Sequence, residues 1–196
     1  MSERRRDTYY RRAKVQGYRS RASYKLLFLN EKFGIIRKGD IVVDLGAAPG
    51  GWSQVAASLV GDNGLVVGVD LQEIEHMQGA IFIRGDIQND ETISEIKEIL
   101  NGRKANAVIS DMSPNISGSY SLDHARSVDL CWKALDIANF LLATGGNFAV
   151  KVFQGDMYPD FFRDASQKFR HCYGHKPKAS RKESSEIYVV GKGFIC

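Results

Sequence analysis

Short apolar runs rich in β-branched residues alternate along the chain with stretches whose apolar positions recur at helical spacing. The first run, 40–46 (DIVVDLG), reads as a buried strand, and 51–60 (GWSQVAASLV) reads as a helix. Further strands are predicted at 64–70, 80–86, 105–111, 146–153 and 185–191. Helices are predicted at 91–101, where Ile93, Ile96, Ile99 and Leu100 share a face, at 121–142, and at 158–169, with Pro159 in its first turn. Another helix, containing SYKLLFLNEKF, precedes the first strand. This alternation predicts an α/β sandwich around a mostly parallel sheet with helices on both faces. The 196 residues suit a single domain over 1–196, with no repeat, low-complexity linker or second domain in view.

Between the first strand and its helix stands DLGAAPGGWSQ, with Gly46, Gly50 and Gly51 within six residues. A tight turn needs fewer glycines, so the reading is that a ligand approaches the backbone there. In a doubly wound sheet that position lies beyond the carboxyl ends of the strands, where ligands bind. The spacing departs from G-x-G-x-x-G, because Ala47, Ala48 and Pro49 separate the first glycine from the second, which weakens a dinucleotide reading. Asp70 ends the second strand and is placed to bind ribose hydroxyls. Asp86 ends the third, placed to meet the amine of an adenine, and Asp111 ends the fourth. An adenosine held by acids, without phosphates, points to S-adenosylmethionine, whose sulfonium is a cation. Trp52, beside the turn, is a candidate cofactor contact.

Charge changes the picture at one end. The net charge is only +4, but residues 1–25 carry Arg4, Arg5, Arg6, Arg11, Arg12, Lys14, Arg19, Arg21 and Lys25 against Glu3 and Asp7. That is a net of +7, leaving −3 for the remainder. A basic arm on a near-neutral body implies a polyanionic partner. Tyr9, Tyr10, Tyr18 and Tyr24 are interleaved with the cations, and aromatic faces among phosphate-binding groups favour RNA over duplex DNA. The arm is therefore expected to bind RNA and to run into the start of the first helix. A second basic stretch holds Arg163, Lys168, Arg170, Lys176, Lys178, Arg181 and Lys182, and would line the RNA path. No apolar run approaches the roughly 20 residues of a membrane span, and no apolar stretch follows the N-terminal cations as a secretory signal requires. The three cysteines form no CxxC pair and read as reduced thiols of a cytoplasmic protein. The expectation is a monomer with no membrane, DNA or metal partner. His171 and His175 have i, i+4 spacing, but no second ligand pair accompanies them.

A second set of residues concerns chemistry. Lys151 lies inside the apolar strand NFAVKVF, where an unpaired ammonium is costly to bury. Asp111 in SDMSPN and Glu186 in SSEIYVV are its candidate partners, and Lys25 in RASYKLL is a fourth ionisable residue just beyond the basic arm. Taken in order, SRASYKL, VVDLGAAPGGWSQ, GVDL, GD, SDMSPN, VKVFQG and SSEIYVV resemble the FtsJ/RrmJ-type ribose 2′-O-methyltransferases of ribosomal RNA, from about residue 19 to 191. The resemblance implies a Rossmann-like methyltransferase fold with one antiparallel strand, here 185–191, between its neighbours. It implies S-adenosylmethionine as cofactor, at Gly50, Trp52, Asp70, Asp86 and Asp111. It also implies a catalytic tetrad of Lys25, Asp111, Lys151 and Glu186, acting on a uridine ribose of large-subunit ribosomal RNA.

A ribose 2′-hydroxyl ionises far above neutrality, so the enzyme must orient it and relieve it of its proton. Lys151 is the candidate base if burial and Lys25 lower its pKa, and otherwise a donor that steers the developing alkoxide. Base-amine methylation usually places an aromatic residue after the proline of the fourth-strand turn, and DMSPN has none. Pyrimidine carbon methylation needs a cysteine nucleophile near that turn, whereas Cys131 falls mid-helix as a core residue. A transfer-RNA ribose methyltransferase of the same family is the alternative enzyme. A non-catalytic RNA-binding or ribosome-assembly module is the alternative of another class, one with no need of a lysine inside a strand.

Overall fold

The computed structural model describes residues 8–180 and 184–195. Seven strands are present: β1 (Ile41–Leu45), β2 (Leu65–Asp70), β3 (Ala80–Arg84), β4 (Ala105–Ser110), β5 (Leu142–Phe153), β6 (Phe169–His175) and β7 (Glu186–Phe194). They form one sheet in the order β3-β2-β1-β4-β5-β7-β6. β1 to β5 pair in parallel, and β7 lies antiparallel between β5 and β6, as the resemblance implied. The helices are α1 (Thr8–Val15), α2 (Ser23–Phe33), α3 (Gly51–Val60), α4 (Asp90–Leu100), α5 (Tyr120–Leu141) and α6 (Tyr158–Ser166).

Both faces of the sheet are covered, which is why β1 is buried at every position. Successive side chains point to opposite layers. Ile41, Val43 and Leu45 meet residues of α4, α5 and α6, while Val42 meets those of α2 and α3. Each buried aliphatic side chain contributes roughly 1.5–3 kcal/mol. The strand order reverses direction between β1 and β4, so a crevice opens beyond their carboxyl ends. Among the described residues, no helix is long and apolar enough to cross a membrane.

Two expectations need correction. Residues 169–175 form a strand, β6, that periodicity does not predict, and the helix before it ends at Ser166 rather than near 169. β6 is an edge strand with four of its seven residues exposed, so the apolar alternation of a half-buried strand is missing. His171 and His175 therefore lie about 13 Å apart along an extended chain, not on one helical face. The basic arm is also partly folded. Residues 8–15 are helix α1, with Ala13 buried beside Tyr24 and Ala179. Tyr9 and Tyr18 pack on Tyr24 at ring distances of 5.4 and 5.5 Å, so three of the four rings expected to stack on bases serve internal packing. Tyr10 is exposed. Of the cations named above, Arg4, Arg5, Arg6, Arg181 and Lys182 lie outside the described residues, as do Glu3, Asp7 and Cys196.

Candidate active site

The four residues of the expected tetrad converge. β7 is antiparallel, so its first residue, Glu186, lies at the carboxyl end of the parallel strands, beside the end of β5. Asp111 follows β4, and Lys151 faces Tyr188 across the β5–β7 pair. Lys25 comes from the first turn of α2. That turn is pinned to the glycine turn: Ser23 Oγ donates to the carbonyl of Gly51 at 3.0 Å, and Trp52 Nε1 donates to the carbonyl of Ala22 at 2.9 Å.

Lys151 Nζ lies 3.2 Å from Asp111 Oδ1 and donates to the Asp111 carbonyl at 2.6 Å. Lys25 Nζ lies 2.8 Å from Glu186 Oε2 and 4.0 Å from Asp111 Oδ1. Both lysines are buried, Lys25 with 7% and Lys151 with 5% of its surface exposed. Unpaired, each would carry a severe desolvation cost, and the two carboxylates supply the pairing. Burial alone would raise the Glu186 pKa, but the charges of Lys25 and Lys151 and the hydrogen bond from Lys25 hold it below its ordinary value.

Tyr188 is a member the sequence reading missed. Its hydroxyl donates to Asp111 Oδ1 at 2.5 Å, its ring stacks on Trp52 at 5.6 Å, and Lys25 Nζ sits 5.6 Å from the ring centre. Burial and the Asp111 carboxylate raise its pKa well above the ordinary phenol value, so it remains a donor. A period of two from Glu186 places it on the same strand face, which is the signal that identifies it.

Next to the tetrad, a cleft of about 360 Å³ is lined by Gly46, Ala48, Asp70, Leu71, Gly85, Asp86, Ile87, Asp111, Met112 and Leu130, among others. Its walls carry three carboxylates and no Lys, Arg or His. Asp70 accepts the N–H groups of Ala48 and Gln72, both at 2.9 Å, so it ties the glycine turn to the loop after β2. Asp86 accepts the N–H of Gln88 at 2.9 Å.

Gly50 and Trp52 do not line the cleft. The Trp52 indole is 3% exposed and belongs to the core under α2 and α3. Gly50 is covered by Arg19, whose guanidinium donates to the carbonyls of Glu75 and His76 at 2.8 and 2.9 Å. The glycines of the turn are accordingly explained by the chain itself. Gly46 and Gly50 have φ of 74° and 97°, a region that favours glycine. A Cβ on Gly46 would come within 2.1 Å of Met112, one on Gly50 within 2.9 Å of Arg19, and one on Gly51 within 2.1 Å of Ser20.

Asp44, inside the same motif, was also missed. It is fully buried on β1 and takes a 2.6 Å bond from Ser53 Oγ on Oδ2, while Oδ1 has no partner. Burial raises its pKa to about 7, against the Ser53 hydrogen bond and with help from the charges of Asp111 and Asp70. An orphaned buried carboxylate oxygen behind three further acids suits a cation and opposes a phosphate. A stability prediction follows from the sign of this shift. The folded state holds the Asp44 proton more tightly than the unfolded chain, so ligand-free stability falls as pH rises from about 4 to about 7 and is level above. The span is at most about 4 kcal/mol. Asp44→Asn should flatten that slope and leave the ligand-free variant more stable than the wild type at pH 8; denaturant unfolding at pH 5 and pH 8 checks this. Equal pH slopes in the two proteins would remove Asp44 as the cause.

Cys131, the only cysteine near the tetrad among the described residues, is buried in α5 with Sγ 3.0 Å from the carbonyls of Ser127 and Lys151. Burial pushes its thiol well above the ordinary range, so no thiolate nucleophile is available for carbon methylation.

Residues 18–194 match the model of the FtsJ-like methyltransferase family. The chain is similar to the ribosomal RNA large subunit methyltransferase E of Methanocella arvoryzae, 54% identical over 195 residues that span 100% of this chain and 75% of that protein. The protein of the same name from Methanocaldococcus jannaschii is 50% identical over 196 residues, spanning 98% and 80%. A crystal structure named as a ribosomal RNA methyltransferase of Plasmodium falciparum aligns with a TM-score of 0.83 at 29% identity, over 91% of this chain and 99% of that one.

Proposed function

Because the chain belongs to the FtsJ-like methyltransferase family, we propose that it uses S-adenosylmethionine to methylate a ribose 2′-hydroxyl of large-subunit ribosomal RNA. The observation that carries this reading is the meeting of Lys25, Asp111, Lys151 and Glu186 beside a cleft walled by carboxylates.

Asp70 and Asp86 hold the ribose hydroxyls and the adenine amine of the cofactor, with Asp111 at the junction of the cleft and the tetrad. The bound cofactor supplies an electrophilic methyl group on a sulfonium. Asp44 and the cleft acids favour that positive charge. Lys151 works on the other reactant. Its Nζ donates to the Asp111 carbonyl and faces the Asp111 carboxylate, which leaves an N–H for the incoming 2′-oxygen. There it orients the oxygen and stabilises its developing negative charge as the new C–O bond forms, and the hydroxyl proton passes to water. Lys25 and Glu186 hold Asp111 and its partners in register from the α2 side. The cations of α1, Arg11, Arg12 and Lys14, present the RNA backbone to this end of the sheet. The uridine of a large-subunit RNA is the expected target nucleotide, and the names of the relatives favour ribosomal over transfer RNA.

Asp70→Ala should weaken S-adenosylmethionine binding by about 1.5–3 kcal/mol, the usual size for a lost charged hydrogen bond. Calorimetry with unchanged affinity would take Asp70 out of the cofactor site. The function as a whole is tested by mapping ribose methylation on RNA from cells with and without the gene. One lost 2′-O-methyl mark in large-subunit ribosomal RNA is expected, and an unaltered map overturns the proposal.

A further inference from the structure

The opposite end of the sheet carries a cationic cleft that the proposed reaction does not use. It measures about 330 Å³, and its ionisable lining comprises Arg37, Arg170, His171, Lys192 and one acid, Asp40. The backbone builds it. Lys192 on β7 stands between Asn147 of β5 and His171 of β6. The exposed Arg170 side chain lies over Gly193, where a Cβ would meet its Cδ and Cγ at 3.3 and 3.4 Å. Arg37 follows α2 in the loop that leads into β1.

Asp40 is the one acid in this lining among the described residues. Among the described residues, no carboxylate lies within ion-pair distance of Arg37, Arg170 or Lys192. Asp40 is occupied by the backbone N–H of Arg37 at 2.7 Å. Lys192 has a structural role, because its Nζ donates at 2.7 Å to the carbonyl of Gly34, the C-cap of α2. Among the described residues, the guanidinium groups of Arg37 and Arg170 have no such carbonyl to serve. Burial lowers the Lys192 pKa and the nearby Arg37 adds to this, while the Asp40 carboxylate opposes them.

α2 connects this cleft to the tetrad: Lys25 enters the tetrad from its first turn, and Gly34 at its other end receives Lys192. We propose that the cleft is a second RNA-backbone site, seating a phosphodiester of the same RNA whose ribose reaches Lys151. It rests on the RNA reading above. The planar forks of Arg37 and Arg170 suit phosphate oxygens, and contacts of this kind set the register of an RNA without reading its sequence. Engagement at both ends of α2 would fix which ribose of a folded RNA meets the tetrad.

The test uses the full chain and the double variant Arg37→Ala/Arg170→Ala, binding a labelled transcript of a large-subunit ribosomal RNA hairpin over a range of salt. The variant should bind about tenfold more weakly or worse, and the slope of log affinity against log salt should shrink by about 1.4–1.8 for two lost phosphate contacts. S-adenosylmethionine affinity should stay level, and Arg37→Lys/Arg170→Lys should recover most of the salt slope. Equal affinity and slope in the wild type and the Ala variant overturn the site. So does calorimetry in which inorganic phosphate binds the wild type and not the Ala variant while RNA binding is unchanged, because the cleft then serves a small free anion. A wild type with no salt-dependent RNA affinity overturns the RNA reading itself, and the site with it.

Discussion

Lys151→Ala is expected to lower turnover at least ~10²-fold, the low end for a lost proton-handling group or oxyanion donor. Binding of cofactor and RNA should change far less, because the Lys151 ammonium acts mainly while the proton and the methyl group move. The side chain is buried and fixed by two contacts to Asp111, and the other amine nearby, Lys25, is engaged by Glu186 at 2.8 Å. Lys151→Arg should fail as well. A guanidinium spreads its charge over a planar fork and is too broad for a site that is 5% exposed. Steady-state kinetics on both variants separate the roles. Near-normal turnover in the Arg variant would show that any cation at this position serves the 2′-oxygen. Near-normal turnover in the Ala variant would end its assignment to the chemistry.

Asp111→Asn should have an effect of similar size on turnover and a second one on stability. One carboxylate oxygen takes the Tyr188 hydroxyl and faces Lys151 at 3.2 Å and Lys25 at 4.0 Å. An amide keeps the shape and removes the charge, so two buried ammonium groups are left with Glu186 alone. Breaking a fully buried pair costs roughly 3–5 kcal/mol. Asp111 is 17% exposed, so about 2 kcal/mol is the expected loss of folding stability. Turnover should drop ~10²-fold or more, since Lys151 loses the group that aims it. Denaturant unfolding and single-turnover kinetics on the same preparation check both effects. Full stability with full activity would show that Lys151 is held by the Asp111 carbonyl alone.

The parallel core and the tetrad were legible because both leave strong local signals. β1, β2 and β4 are β-branched runs buried on both faces, and a lysine at position 151 inside such a run calls for acid partners. Asp70 and Asp86 were legible from their places at strand ends. β6 was not, because an edge strand with exposed Arg170, His171 and Tyr173 has no apolar alternation to detect. The tyrosines of the arm read as base-stacking faces because composition records their neighbours in sequence and not the ring of Tyr24, on which Tyr9 and Tyr18 close. Trp52 and Gly50 were assigned to the cofactor by their motif. The residues that pack on them, Tyr188 and Arg19, are distant in sequence. Asp44 was passed over for a related reason: sequence shows an acid in a glycine motif, and only the fold shows that one of its oxygens is buried without a partner.

The central claim is a ribose-directed methyl transfer that depends on Lys151. Its most direct test supplies S-adenosylmethionine with a labelled methyl group to the purified protein and large-subunit ribosomal RNA, digests the RNA to nucleosides, and identifies which one carries the label. The wild type should place the label on the 2′-oxygen of a single nucleoside, and Lys151→Ala should place almost none. Label on a base, or equal ribose label from the two proteins, would contradict it.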